Sequence, residues 1–108
     1  MPHLVFAGVK PEEIKDISTT LTDTLSKIAD APRDYFTYEV KENYFIFDGE
    51  IVNVNPVIEV SWFDRGQQVK DDMAAAIDQA VRSKGYDRIE VIFDALEKES
   101  YYENAEHY

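Results

Sequence analysis

Hydrophobic positions along the chain change their spacing several times, and each change marks a predicted element. The apolar segment Pro2–Val9 alternates weakly and predicts a buried strand. Apolar residues then recur every three or four positions, which predicts a helix with one buried face formed by Ile14, Ile17, Leu21, Leu25 and Ile28. We expect this helix to begin at Pro11, where a missing N–H costs nothing, and to end before Pro32, which cannot continue it.

Strand patterns follow this helix and recur near the end of the chain. Alternating apolar and polar residues predict strands over Tyr35–Val40, Val57–Phe63 and Arg88–Leu96. The short apolar run Tyr44–Phe47 stands before the turn residues Asp48-Gly49, which predicts a strand extension or a hairpin arm.

A second amphipathic helix is predicted between the last two long strands. Asp64 is a suitable N-cap, and Gln67 three residues later completes a capping-box pattern. The predicted buried face consists of Val69, Met73, Ala76, Ile77, Ala80 and Val81. We expect Gly85 to end this helix.

The elements therefore form two β-α-β units in one α/β (α+β) domain of 108 residues, a usual size for a single domain. A predicted loop over Asn53–Pro56 divides the chain into pseudo-repeats 2–54 and 55–108, with Pro2 and Pro56 in equivalent places. The same element order is found in ferredoxin-like binding modules, which remain an alternative at this point.

Composition narrows the possible chemistry. The chain has no cysteine, which excludes disulfides, iron–sulfur clusters, a thiolate nucleophile and cysteine-based zinc sites. Eleven basic and 22 acidic residues give a net charge of −11, which disfavours nucleic acid and anionic membranes as partners. No secretory leader or membrane-spanning run is visible, so we expect a cytoplasmic protein. An anionic substrate would need a local basic site, which makes each arginine a candidate.

Two features together resemble the tautomerase superfamily, which includes 4-oxalocrotonate tautomerase and macrophage migration inhibitory factor: a β-α-β duplication within 108 residues, and a proline directly after the initiator methionine. Within the superfamily, the chain is similar to a small bacterial family of uncharacterised function. The segments that carry this closer match are Met1-Pro2-His3-Leu4, Phe36-Thr37-Tyr38-Glu39, Glu59-Val60-Ser61-Trp62-Phe63-Asp64-Arg65 with Gln67-Gln68, and Ser100-Tyr101-Tyr102 with His107-Tyr108.

The resemblance implies a four-stranded mixed sheet with two helices on one face, assembled as a homotrimer. It also implies keto–enol tautomerisation of a small anionic keto or enol acid, with the Pro2 nitrogen as base and without a cofactor. Alternatives are a non-catalytic trimer that kept the scaffold, and the ferredoxin-like module.

Pro2 suits the role of a base on chemical grounds. Methionine is normally removed before a small residue such as proline, and Pro2 would then carry a free secondary amine. An α-amino group titrates near a pH of about 8, and desolvation lowers its pKa further, so the amine can be neutral near pH 7. The other interpretation is that Pro2 only begins a strand.

Other candidate residues fall close to Pro2 or could reach the site from a neighbouring copy. If the first strands of the two units pair antiparallel, the start of the chain lies near Trp62–Arg65. The candidate substrate-binding residues are Arg65, Arg33, Trp62, Phe63, Tyr101 and Tyr102. For the arginines a surface role stays open, and for the tail tyrosines a packing role. His3 points away from Pro2 by strand alternation, and with His107 it makes a poor metal site, so no metal is expected.

Overall fold

The computed structural model describes residues 1–53 and 55–108. Residue 54, which belongs to the predicted loop Asn53–Pro56 and to the predicted repeat boundary, lies outside the described residues. The helices are α1 (Pro11–Ala29) and α2 (Gln67–Arg82). The strands are β1 (His3–Ala7), β2 (Thr37–Val40), β3 (Phe45–Phe47), β4 (Glu50–Val52), β5 (Val57–Trp62), β6 (Glu90–Ala95), β7 (Tyr102–Glu103) and β8 (Glu106–His107).

Four strands form one mixed sheet in the order β2-β1-β5-β6. Each β-α-β unit pairs its own strands in parallel, β1 with β2 and β5 with β6, and the units join through antiparallel pairing of β1 with β5. The predicted α+β fold with a four-stranded mixed sheet is therefore confirmed. The ferredoxin-like alternative is wrong, because β1 and β2 are direct neighbours and run parallel.

Both helices cover the same face of the sheet and close one hydrophobic core. Strand alternation decides which side chains enter it, because successive residues point to opposite faces. In β5, Ile58, Val60 and Trp62 are fully buried, whereas Glu59 is exposed on the open face. The single tryptophan, Trp62, packs edge-on against Phe93 with ring centroids 5.1 Å apart.

The two helices differ in how well the sequence predicted their ends. Helix α1 begins at Pro11 as expected and ends at Ala29, where Asp30 takes a left-handed conformation with φ 51°. The capping box predicted for α2 is wrong: the N-cap is Gly66, with φ 99°, and the helix begins at Gln67. The Asp64 carboxylate instead accepts a hydrogen bond of 2.8 Å from the Gly66 N–H, which forms a tight turn before the helix.

Each unit ends in a short hairpin. Strands β3 and β4 pair antiparallel around Asp48-Gly49, both with positive φ, as the tight hairpin turn requires. Strands β7 and β8 pair in the same way in the tail. The Tyr44–Phe47 arm is exposed in the isolated chain, with Ile46 and Phe47 both 73% accessible. No helix among residues 1–53 and 55–108 is long and apolar enough to cross a bilayer.

We predict that Leu25→Ala lowers the free energy of unfolding by about 2–5 kcal/mol, because Leu25 is fully buried in the core. Denaturant unfolding followed by Trp62 fluorescence, at one protein concentration, measures this change. Thr20→Ala on the exposed side of α1 is the control and should change stability by less than about 0.5 kcal/mol. Equal effects of the two variants would contradict the assignment of Leu25 to the core.

Candidate active site

Strand pairing brings the N-terminus next to the end of β5. The antiparallel register pairs His3 with Ser61, so the residues before His3 lie beside those that follow Ser61. This is the neighbourhood that antiparallel pairing of the two units predicts for Pro2.

A cavity of about 580 Å³ opens at this end of the sheet. It brings together the N-terminal residue and three of the predicted site residues, Phe63, Arg65 and Tyr101. The other lining residues are Asp34, Tyr35, Thr37, Lys98, Glu103 and Tyr108. We call this space the N-terminal cavity.

Pro2, the predicted base, is fully buried and does not itself line the N-terminal cavity, whereas its neighbour Met1 does. The Pro2 carbonyl oxygen accepts a 3.2 Å hydrogen bond from the Thr37 N–H, which fixes the start of β1 against β2. Met1 lines the cavity and carries the N-terminal amine, while the Pro2 nitrogen lies in the peptide bond that joins it to Met1.

Arg65 has a structural contact as well as a place in the cavity. Its Nη1 donates a 2.7 Å hydrogen bond to the carbonyl oxygen of Ala29, the last residue of α1. A cation at this position satisfies a free carbonyl and opposes the negative end of the helix dipole. With Asp64 as the predicted N-cap, Arg65 would be the first residue of α2, but the Asp64–Gly66 turn places Arg65 before the helix.

The electrostatics of the N-terminal cavity act on the amine at its edge. Burial lowers the pKa of the Met1 amine from its ordinary value, and the positive charge of Arg65 lowers it further. Glu103 acts in the opposite direction and raises this pKa, because a nearby anion stabilises the ammonium form. The net effect is a larger fraction of neutral, basic amine near pH 7.

Three aromatic rings form one wall of the N-terminal cavity. Tyr101 and Tyr108 pack edge to face with centroids 4.9 Å apart, and Phe63 lies 5.5 Å from Tyr101 and 5.7 Å from Tyr108. The Lys98 ammonium stands 5.8 Å from the centre of the Phe63 ring. The Tyr108 hydroxyl donates to Glu103 at 3.1 Å, and this hydrogen bond raises the tyrosine pKa.

Trp62, Arg33 and Tyr102 do not line this cavity. Trp62 is buried in the core, because strand alternation turns it toward the helices. Arg33 lies along α1, where its Nε donates to Asp23 at 2.8 Å and its Nη2 to the Thr19 carbonyl at 3.2 Å. Tyr102 is 62% exposed and packs against His107 in the tail hairpin.

His3 points to the open face of the sheet, as strand alternation predicts. Its ring nitrogens lie 2.6 Å from the Thr37 hydroxyl and 3.1 Å from the Glu39 carboxylate, so it links β1 to β2.

Sequence reasoning missed the remaining lining residues, chiefly Lys98, Glu103 and Tyr108. They lie in the tail, whose residues show no helical or strand period that would place them. The short turn Lys98–Ser100 and the β7–β8 hairpin bring them back over the N-terminus. The aromatic content of the tail was the one available signal.

The fold is similar to that of solved tautomerase-superfamily members. The macrophage migration inhibitory factor of Toxoplasma gondii aligns with a TM-score of 0.76 at 14% identity, over 99% of this chain and 100% of that one. A structure described as a fused 4-OT wild-type symmetric trimer aligns with a TM-score of 0.74 at 21% identity, over 91% of this chain and 88% of that one. The chain therefore has the tautomerase-superfamily fold.

The family follows from matches over the full length. The profile described as "Domain of unknown function (DUF1904)" matches residues 1–107. A DUF1904 structure from Sebaldella termitidis ATCC 33386 is 34% identical, with a TM-score of 0.94 and 100% of both chains aligned. The chain belongs to the DUF1904 family. No curated protein matches it in sequence.

We predict that two substitutions in the N-terminal cavity move the pKa of the Met1 amine in opposite directions. Arg65→Gln removes a nearby positive charge and should raise it, whereas Glu103→Gln removes a negative charge and should lower it. NMR titration of the isotopically labelled N-terminal residue measures both shifts. Glu12→Gln, an exposed charge at the start of α1, is the control and should leave this pKa unchanged. Shifts of the same sign in the two cavity variants would refute this electrostatic description.

Proposed function

We propose that the protein is a cofactor-independent tautomerase that uses the Pro2 amine on a small keto or enol carboxylate. The observation that supports this most directly is that burial and Arg65 lower the pKa of the amine on Met1, which lines the cavity. A lowered pKa increases the fraction of neutral amine, which is the form that accepts a proton during transfer between carbon and oxygen.

Removal of Met1 would transfer the free amine to Pro2. Pro2 is more buried than Met1 and is held by the hydrogen bond from Thr37 to its carbonyl, so its nitrogen would occupy a fixed and desolvated position. The ring would also fix φ and hence the direction of the lone pair. Both effects favour a neutral, oriented base.

In the proposed reaction, the Pro2 nitrogen removes a proton from the carbon next to the substrate carbonyl. The electrons of the broken C–H bond form a C=C bond, and the carbonyl oxygen takes the proton back from the nitrogen to give the enol. The reverse sequence converts enol to keto acid. Arg65 and Lys98 provide the positive charge that would bind the substrate carboxylate, and Phe63 and Tyr101 provide apolar contact.

The alternative function is that of a non-catalytic scaffold of the same fold. If Met1 is retained, the Pro2 nitrogen is a tertiary amide, which has no basicity, and only the scaffold function remains. The two functions therefore differ in the state of the N-terminus.

We predict that protein with a free Pro2 amine interconverts small 2-keto and 2-enol acids, and that protein with one uncleaved residue before Pro2 does not. The extra residue removes basicity with little change of shape. Ultraviolet absorbance of the conjugated enol measures turnover, and intact mass verifies each N-terminus. The rate should rise with pH as the amine deprotonates.

The matched control is Lys15→Gln, which removes an exposed cation of α1 that does not line the N-terminal cavity and should leave the rate unchanged. Arg65→Gln should lower kcat/KM by about tenfold or more, as loss of a charge-assisted hydrogen bond does. Equal rates for the free and blocked proteins would eliminate Pro2 as the base. Absence of turnover in both would favour the scaffold.

We further propose that the protein assembles as a homotrimer. The fused 4-OT relative is described as a symmetric trimer. In this chain, β2 and β6 have unpaired outer edges within the described sheet, and the β3–β4 hairpin exposes Ile46, Phe47 and Ile51. Unpaired edges and exposed apolar side chains are the surfaces that association between copies covers.

We predict that Ile46→Glu weakens this assembly, because it places a charge in the exposed apolar hairpin. Sedimentation over a range of concentrations should show a trimer for the unmodified protein and a smaller species for the variant. Ala75→Glu adds the same charge at an exposed position on α2 and is expected to remain trimeric. A monomer at micromolar concentration for the unmodified protein would argue against the trimer.

A further inference from the structure

A second cavity of about 610 Å³ opens at the opposite end of the sheet. Gly8–Lys10, which follow β1, form one side of it, and the β3–β4 hairpin with its flanking residues forms another. The proposed reaction does not use this space. We call it the distal cavity.

The distal cavity lies near the start of the second β-α-β unit, and the N-terminal cavity lies near the start of the first. Pro56 precedes β5 as Pro2 precedes β1, and both prolines are fully buried. The Pro56 carbonyl accepts a 3.0 Å hydrogen bond from Glu90, just as the Pro2 carbonyl accepts one of 3.2 Å from Thr37.

Each parallel strand pair also ends in a hydrogen bond, two residues further along in the second unit. The Phe6 carbonyl accepts from the Lys41 N–H at 2.9 Å, and the Trp62 carbonyl accepts from the Leu96 N–H at 2.7 Å. Each cavity is then bounded by the residues that leave one unit's first strand and by the hairpin that ends the same unit. The two cavities are therefore equivalent positions of one repeated scaffold.

The two cavities differ in their proton-transfer chemistry. The Pro56 nitrogen lies in the peptide bond with Asn55, so the distal cavity offers no counterpart of the N-terminal amine. Tyr86, at the edge of the distal cavity, donates a hydrogen bond to the Glu13 carboxylate. Burial and this hydrogen bond raise the pKa of Tyr86 to about 12. Neither group is a base near neutral pH.

The charges of the distal cavity favour an anion. Two exposed lysines, Lys10 and Lys41, line it together with Glu42. The nearby Glu13 carboxylate already accepts hydrogen bonds from the Lys10 N–H and the Tyr86 hydroxyl. Among residues 1–53 and 55–108, neither lysine ammonium has a carboxylate oxygen within 4.0 Å. Their charges are therefore available to a ligand.

Apolar side chains complete the lining, with Phe45 and Ile51 on the hairpin side. A ligand that contacts both the lysines and the apolar side chains carries one anionic group and a hydrocarbon body. We propose that the distal cavity is a second, non-catalytic binding site for a small carboxylate held by Lys10 and Lys41.

The test uses benzoate as the probe and protein with one extra residue before Pro2, so that binding is measured independently of catalysis. In ¹H–¹⁵N NMR spectra, benzoate should shift the amide signals of Lys10, Lys41 and Tyr44. Uncharged benzamide should shift them far less, because the charge-assisted contacts are absent.

Lys41→Gln should weaken the benzoate response at these amides by about tenfold, which is the loss expected for one charge-assisted contact. Lys15→Gln removes the same charge from an exposed position on α1 and should leave the response unchanged. Circular dichroism verifies that both variants fold. The proposal is overturned if benzoate leaves the distal amides unshifted, or if the two lysine variants respond alike.

Discussion

Antiparallel pairing of β1 with β5 is the constraint on which the rest of the molecule depends. It joins two parallel strand pairs into one sheet, with a register that runs from His3 opposite Ser61 to Ala7 opposite Val57. Because the paired strands run in opposite directions, each strand begins where the other ends. The start of each unit therefore meets the loop that leaves the other, and a cavity forms at each end of the sheet. A shift of one residue in this register would turn Leu4 and Phe6 out of the core.

Arg65 connects the stability of the fold with the electrostatics of the N-terminal cavity. Its hydrogen bond to the Ala29 carbonyl holds the end of α1 against the turn that follows β5. The same guanidinium lowers the pKa of the nearby amine, while Glu103 opposes it. Since one side chain serves both purposes, a change at Arg65 affects helix capping as well as any ligand. Loss of binding in an Arg65 variant is therefore interpretable only beside a measurement of its stability.

The sequence was informative where a period of apolar residues determined the structure. Leu21 and Leu25 at helical spacing placed α1, and Ile58 and Val60 at strand spacing placed β5. It was less informative where one polar contact decided between alternatives. Asp64 and Gln67 had the spacing of a capping box, but Gly66 adopts a positive φ and Asp64 turns back to its N–H, which delays the helix.

The candidate site shows the same limit of sequence reasoning. Strand pairing correctly predicted that the chain start lies near the residues after β5. It could not predict that Trp62 belongs to the core, because that depends on which face of the sheet the helices cover. It could not place Arg33 either, since only the folded chain shows Asp23 within reach. Lys98, Glu103 and Tyr108 reach the cavity through a tail without periodicity.

The exposed hairpins link assembly to both cavities. A chain of this length buries a limited share of its surface, and burying one large apolar side chain such as Ile46 or Phe47 is worth about 1.5–3 kcal/mol. Association that covers the β3–β4 hairpin would order one wall of the distal cavity, and association through β7–β8 would order one wall of the N-terminal cavity. A ligand that binds more tightly to the ordered wall must then stabilise the assembled form. The free energy that assembly adds to binding equals the free energy that binding adds to assembly, because the two are thermodynamically linked. Ligand affinity in either cavity should for this reason be compared only at a fixed protein concentration.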